Sequence, residues 1–296
     1  MWPALPQFTG KDASMSSEDS KVTLATTMPL VAGTTRVFGT IAHPADHVRA
    51  PTVFNSIFAE RGLDHVMVPI DAPPHSLAEI LAALRAIPNF GGMAVTIPHK
   101  MEIAGLCDTL GLAARLTGAV NAVRFDADGS MHGDNFDGEG FVAGLRQQGN
   151  DPAGKDVLMV GAGGAARAIA LALCEAGVGR LRISNRTSQK ADEIVSALKD
   201  LGQHSQAGTA VDHDGAGVDM IVNTTSLGLH DGDRLPIALD AVDPKTLIAE
   251  IIMVPERTAW LADAEGRGLP THYGRHMLDC QIELIGGFIG ALPGAA

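Results

Sequence analysis

Asp156-Val157-Leu158-Met159-Val160 runs directly into Gly161-Ala162-Gly163-Gly164-Ala165-Ala166. An apolar run, a glycine cluster and an Ala/Leu-rich stretch to Ala176 read as strand, tight turn and helix. Gly161, Gly163 and Ala166 fit G-x-G-x-x-A, with Gly164 as an extra glycine. The first glycine permits the turn, the second lets backbone approach a pyrophosphate, and the small third residue lets helix pack on strand. The helix N-terminus then faces the phosphate charge. An ordinary strand–helix turn would show a similar pattern, but the flanking strand and helix point to dinucleotide binding. About 20 residues further on, an NAD site places an acid at a strand end. Here that place reads Ser184-Asn185-Arg186-Thr187, with no acid. Arg186 has the fork geometry for a 2′-phosphate, although an Arg at a strand end can also be merely solvated. The expected cofactor is NADP, with NAD as second choice.

Outward from this turn, strand and helix patterns alternate. Arg180–Ser184, Met220–Asn223 and Leu247–Ile252 read as strands, and Ser188–Leu201 as a helix. Upstream, Arg36–Ile41, His65–Ile70 and Gly92–Ile97 read as strands separated by helices over Pro51–Arg61 and up to Ala86. Ser76 is placed to cap the second of these helices. Alternation with short connections argues for a parallel, doubly wound layer. Asn121–Phe125 and Ser130–Asp134 read as a hairpin, Phe136–Gly149 as a helix, and Gly274–Ile289 as a terminal helix. Asn150-Asp151-Pro152 marks a break near residues 140–153.

The chain has 296 residues, 46% apolar and 19% charged. At ~150 residues per domain this suggests two domains. A disordered or disulfide-stapled chain is excluded. With 22 basic and 34 acidic residues the net charge is −12, which argues against nucleic acid or an anionic membrane as partner. Cys107, Cys174 and Cys280 lack metal-ligand spacing and fit a reducing, cytoplasmic setting. No metal is expected. Residues 1–33 read as a loose tail without the basic flank and apolar core of a signal peptide. No apolar run approaches the ~20 residues that span a bilayer.

Val95-Thr96-Ile97-Pro98-His99-Lys100 ends a strand, and open α/β sheets bind ligands at such ends. Gly133-Asp134-Asn135-Phe136-Asp137-Gly138 sets polar side chains at a helix start. Hydride exchange at a carbinol needs a group to handle the hydroxyl proton, and a Lys beside a carboxylate can do so. Spacing alone leaves open that Lys100 is solvated and Asp137 caps a helix.

Together the motifs resemble the shikimate dehydrogenase family over about residues 35–290. VTIPHK resembles V-T-[IV]-P-x-K, Gly118–Val123 resembles G-A-V-N-T, and GDNFDGEG resembles G-D-N-T-D-G-x-G. GAGGAARA, Asn185-Arg186-Thr187, Val222–Leu229 and Met277-Leu278 with Gln281 resemble the family's glycine turn, phosphate clamp, N-A-T-x-x-G and M-L-x-x-Q. The resemblance implies an α/β fold of two domains with the active-site cleft between them. The N-terminal α/β substrate domain is expected over 34–140 and a C-terminal Rossmann NAD(P)-binding domain over 141–273. A terminal helix over 274–292 is expected to return to the first. The implied reaction is hydride transfer between NADP(H) and a ring hydroxyl or ketone of shikimate, quinate or a related cyclic hydroxy acid. Lys100 and Asp137 would be the catalytic pair. Thr96, Asn121 and Gln281 would hold substrate hydroxyls. Gly161, Gly163, Gly164, Ala165, Ala166, Asn185, Arg186, Thr187, Thr224 and Met253 would bind the cofactor. A monomer or homodimer is expected. A cofactor-binding sensor without turnover is the alternative.

The chain departs from the family pattern mainly on the substrate side. Val48-Arg49-Ala50-Pro51 stands where S-x-S-P would hold a substrate carboxylate. Ala94, Phe136 and Met253 replace the usual Asn, Thr and Tyr. Each missing hydroxyl costs about 1.5–3 kcal/mol if nothing replaces it. His47 and Arg49 in the same loop are candidate replacements, Arg being suited to carboxylates; an outward, solvated Arg49 is the competing reading.

Overall fold

The computed structural model describes residues 31–201, 206–210 and 215–293. Most of the expected tail lies outside them. The N-terminal half contains β1 (Arg36–Ala42), α1 (Ala50–Glu60), β2 (His65–Asp71), α2 (Leu77–Arg85), β3 (Phe90–Val95) and α3 (Lys100–Ala104). It continues with β4 (Thr109–Leu110), α4 (Leu112–Thr117), β5 (Ala122–Phe125), β6 (Met131–Asp134) and α5 (Asp137–Gln147). The C-terminal half contains β7 (Asp156–Val160), α6 (Gly164–Glu175), β8 (Arg180–Ser184), α7 (Ser188–Asp200), β9 (Ala207–Thr209) and β10 (Met220–Asn223). It ends with β11 (Leu247–Glu250), α8 (Ala259–Gly266), β12 (Thr271–His272) and α9 (Arg275–Phe288).

These strands form two six-stranded sheets. The C-terminal sheet is parallel throughout, in the order β12-β11-β10-β7-β8-β9. That is the doubly wound dinucleotide-binding order, and its switch point lies between β7 and β10. The strands read as near-continuous apolar runs because both faces are covered. Leu158, Ile221 and Ile248 pack against Trp260 and Leu261 of α8. Met159, Val222 and Ala249 pack with Ile169 and Leu173 of α6 on the opposite side.

The N-terminal sheet has the order β2-β1-β3-β5-β6-β4. The expected parallel layer holds for β2, β1 and β3, and the expected hairpin for β5 and β6; because β5 also runs antiparallel to β3, the sheet is mixed. A parallel β5 would need a crossover back to the amino end of β3. Instead α4 hands the chain back at the carboxyl end, where Ala94 pairs with Ala122 and Val95 N–H donates to Asn121 O at 2.8 Å. The ends of β3 and β6 and the start of β5 thereby share one edge. β3 also ends two residues earlier than the apolar run suggested, leaving Thr96 and Ile97 in the following turn.

Helix α9 returns across the molecule and packs on α5, α1 and β5. Its Ile285, followed by Ile289, joins Phe38, Phe54 and Phe58 in one cluster. The break expected at residues 140/141 falls within α5, which packs on both α6 and α9. Gly138, Gly140 and Gly144 allow this approach. A Cβ at Gly140 would lie 2.5 Å from Gln281 Cγ, and one at Gly144 would lie 2.9 Å from His276 O.

Ser76 precedes α2 as expected but accepts no capping hydrogen bond, because its backbone is already helical. Ser76→Ala is therefore expected to change stability by less than about 0.5 kcal/mol, read by denaturant unfolding. The cap that does form lies in a segment with no assigned element in the sequence reading. Thr258 Oγ1 accepts from Leu261 N–H at 3.3 Å and starts α8.

Candidate active site

The mixed sheet gathers its polar residues at one edge. Asn121 precedes β5 and Asp137 opens α5 just after β6. Asn121 Nδ2 donates to Asp137 Oδ1 at 2.9 Å, while its Oδ1 accepts from Phe136 N–H at 2.9 Å. The same Asp137 oxygen accepts from Gln281 Nε2 at 3.1 Å. Lys100, in the first turn of α3, brings Nζ to 3.4 Å from Asp137 Oδ2. Asn135 Oδ1 accepts from Asp137 N–H at 3.0 Å, and Asn135 Nδ2 donates to Ala119 O at 3.2 Å. Asn121, Asn135 and Gln281 are buried, whereas the Lys100 side chain stays 31% exposed.

This arrangement decides what the site can do. Oδ1 of Asp137 is occupied by two fixed amide donors, so the carboxylate cannot rotate freely. Oδ2 faces the ammonium of Lys100, and the two side chains stay 14% and 31% exposed. A hydroxyl entering there meets a donor and an acceptor together. Thr96 sits on the adjoining turn, where its N–H donates to Ile41 O at 3.1 Å and its carbonyl accepts from His99 N–H at 3.0 Å. His99 itself is fully buried with neither ring nitrogen partnered.

The departures from the family pattern have distinct placements. Arg49 is exposed at the N-cap position of α1, with no side-chain capping bond. Among the described residues no hydrogen bond or ion pair links it to Lys100 or Asp137. Phe136 is buried with its ring 5.2 Å from that of Phe288. It therefore joins the core cluster of Phe38 and Phe54 and offers no hydroxyl.

The second half of the site lies at the switch point of the parallel sheet. Gly161 has φ +119°, and a Cβ there would overlap Thr224 Oγ1. Thr224 donates through both N–H and Oγ1 to Val160 O, at 2.8 and 2.9 Å. Gly163 and Gly164 open α6, and a Cβ on either would meet nothing within 4 Å. The backbone here is bare, turned at a helix N-terminus, and approachable. Those features suit a pyrophosphate. Ala166, in the first turn of α6, is fully buried, as its packing role requires. Asn185 Nδ2 donates to Thr187 O at 2.9 Å and shapes the turn that presents Arg186, which is exposed. Met253 stands 39% exposed on the loop after β11. The residues thus fit a dinucleotide.

One polar group in this region was not read from the sequence. Glu250 is fully buried at the end of β11. Burial pushes its carboxyl up to about 7, against hydrogen bonds from Asn223, Ile252, Ile251 and Thr258 that lower it. An acid closing an apolar strand was the only sequence signal.

A parallel doubly wound unit bearing a glycine turn, joined to a mixed α/β unit that presents a Lys–Asp pair, defines a two-domain nicotinamide-dependent oxidoreductase. The chain belongs to the shikimate dehydrogenase family. Residues 40–123 match the shikimate dehydrogenase substrate binding domain, and residues 145–227 match shikimate / quinate 5-dehydrogenase. The NADP(+) shikimate dehydrogenase of Rubrobacter xylanophilus is 39% identical over 254 residues, covering 85% of this chain and 89% of that one. Shikimate 5-dehydrogenase of Listeria monocytogenes, in complex with shikimate and NAD, superposes with TM-score 0.80 at 30% identity, covering 88% of this chain and 94% of that one. The ligand-free 5-ketofructose reductase of Gluconobacter sp. strain CHM43 superposes with TM-score 0.78 at 30% identity, covering 88% and 95%. The two-domain α/β architecture is thereby shown. Nothing in these comparisons supports the cofactor-sensing alternative. Among the described residues no helix is long and apolar enough to cross a membrane, and no acid, His and Cys group could hold a metal.

Proposed function

We propose that the protein is an NADP-dependent dehydrogenase that interconverts a ring hydroxyl and ketone of a shikimate- or quinate-like cyclic hydroxy acid. The observation that carries this is Asp137, fixed by Asn121 and Gln281 with Lys100 Nζ at 3.4 Å. Similarity to enzymes named for shikimate and quinate supports the substrate class.

Lys100 Nζ and Asp137 Oδ2 bracket the substrate hydroxyl. The Lys100 ammonium orients it and exchanges its proton, while the carboxylate holds Lys100 in place. The bound nicotinamide supplies the hydride donor or acceptor. Thr96, Asn121 and Gln281 orient neighbouring ring hydroxyls. The bare backbone of Gly161–Ala166 takes the pyrophosphate. Asn185, Arg186 and Thr187 take the adenosine end, and Thr224 and Met253 lie towards the nicotinamide end. A cytoplasmic location is part of the proposal, because the three free cysteines stay reduced there.

Cofactor reduction with shikimate, quinate and carboxylate-free ring alcohols tests the reading. Lys100-dependent reduction of NADP by a ring hydroxy acid is expected. Saturating binding of NADP without turnover of any of these alcohols would overturn it. Arg186→Ala is expected to weaken NADP binding about 10–100-fold, the value of a charge-assisted hydrogen bond, while NAD binding changes little. Titration of both cofactors checks this, and equal losses would remove the argument for NADP.

A further inference from the structure

We propose that Glu250 is a positioning residue that ties together the two loops on the nicotinamide side of the cleft. The inference rests on the dinucleotide-binding reading above and adds a residue to it. The Glu250 carboxylate lies at the carboxyl end of β11, beside the end of β10. Asn223 Nδ2 reaches both of its oxygens, at 3.1 and 3.0 Å. Oε1 also accepts from Ile251 N–H at 2.8 Å and Ile252 N–H at 3.2 Å. Oε2 accepts from Thr258 Oγ1 at 3.4 Å. Every one of these partners is a donor. A buried acid with only donors around it is a connector whose full set of partners a neutral side chain cannot satisfy.

The connections run outward from Glu250 in two directions. Towards β10, the same Asn223 Nδ2 donates to Leu227 O at 3.0 Å, and Asn223 Oδ1 accepts from Thr225 N–H at 3.0 Å and Thr225 Oγ1 at 2.7 Å. This closes the Asn223–Leu227 turn on itself. Thr224, the next residue, abuts Gly161. Towards α8, the carboxylate clasps both ends of the loop that displays Met253 and Val254, since Ile251 and Thr258 lie on either side of it. The loops also pack on each other: a Cβ at Gly228 would lie 3.3 Å from Ile252 Cδ1 and from Thr258 Cβ. Gly274, just before α9, backs the second loop so closely that a Cβ would overlap Ile252 O. Glu250 thus sets how the glycine turn and the Met253 loop stand relative to each other, which is the span a bound dinucleotide must bridge.

The test uses the full chain and binding alone. NADPH is titrated by its fluorescence, and adenosine 2′,5′-bisphosphate by displacement, against the parent, Glu250→Gln, Glu250→Asp and Glu250→Ala. Thermal melts establish folding, and Glu250→Gln carries the test if Glu250→Ala does not fold. Glu250→Gln is expected to weaken NADPH about tenfold or more, with bisphosphate affinity held within about twofold. Glu250→Asp, which keeps the carboxylate, is expected to fall between the parent and Glu250→Gln. NADPH affinity within about twofold of the parent, or equal losses for both ligands, would overturn the proposal. No turnover is involved, so failure to find a substrate leaves the test standing. A parent that does not bind NADPH would instead remove the dinucleotide reading.

Discussion

Lys100→Ala is expected to lower kcat by about 10²–10⁴-fold, the span for a positioned acid–base group, with NADP affinity unchanged. The separation follows from the fold, since Lys100 opens α3 in the mixed sheet unit while the glycine turn opens α6 in the parallel one. Asp137→Asn is expected to fall in the same range for a different reason. Its Oδ1 already accepts from Asn121 Nδ2 and Gln281 Nε2. The new amide keeps one oxygen for those donors and turns its NH2 towards Lys100, a donor facing a donor. The ammonium then loses its acceptor and its position. Steady-state kinetics with the best substrate, beside NADPH titration, checks both variants. A kcat within about threefold of the parent in both would remove the pair from the mechanism.

Gly138→Ala is expected to destabilise the fold by about 3 kcal/mol, the upper range for forcing a methyl into a packed interface. That corresponds to a fall of about 6–12 °C in Tm. The added Cβ would overlap the Ala168 carbonyl, sit 2.5 Å from Ala168 C and lie 3.0 Å from Ala172 Cβ. The first two are backbone atoms of α6 and cannot swing aside, so α5 must move away. Asp137 is the neighbouring residue, and the change should also disturb its bonds to Asn121 and Gln281. Gly163→Ala is the control, because nothing lies within 4 Å of its added Cβ. Its stability is expected to stay within about 0.5 kcal/mol of the parent. Calorimetric melts of the two variants check the contrast, and equal Tm values would contradict the close α5–α6 packing.

Much of the parallel half was legible because its signals are local. The run Asp156–Val160, the glycines after it and the apolar helix to Glu175 carry period, turn chemistry and packing side by side. Short elements gave no comparable signal. β4 and β12 are two residues each and β9 is three, too brief for periodicity to register. α8 was missed because Trp260, Leu261 and Ala264 make it mainly apolar with no clear polar face. The site was legible only through motifs. Lys100 and Asp137 are separated by 37 residues, and Gln281 lies 144 residues beyond Asp137.

By itself the sequence determined the alternation of strands and helices, the glycine turn after β7, the absence of an acid beside Arg186 and the motifs that mark the family. Each of these depends on neighbours along the chain. The tertiary structure alone decided that β5 runs back along β3, that Asn121 and Gln281 close on one oxygen of Asp137, and that Glu250 is buried among donors. These outcomes turn on which distant surfaces exclude water together and which buried polar atoms find partners there. That balance exists only once the chain has packed.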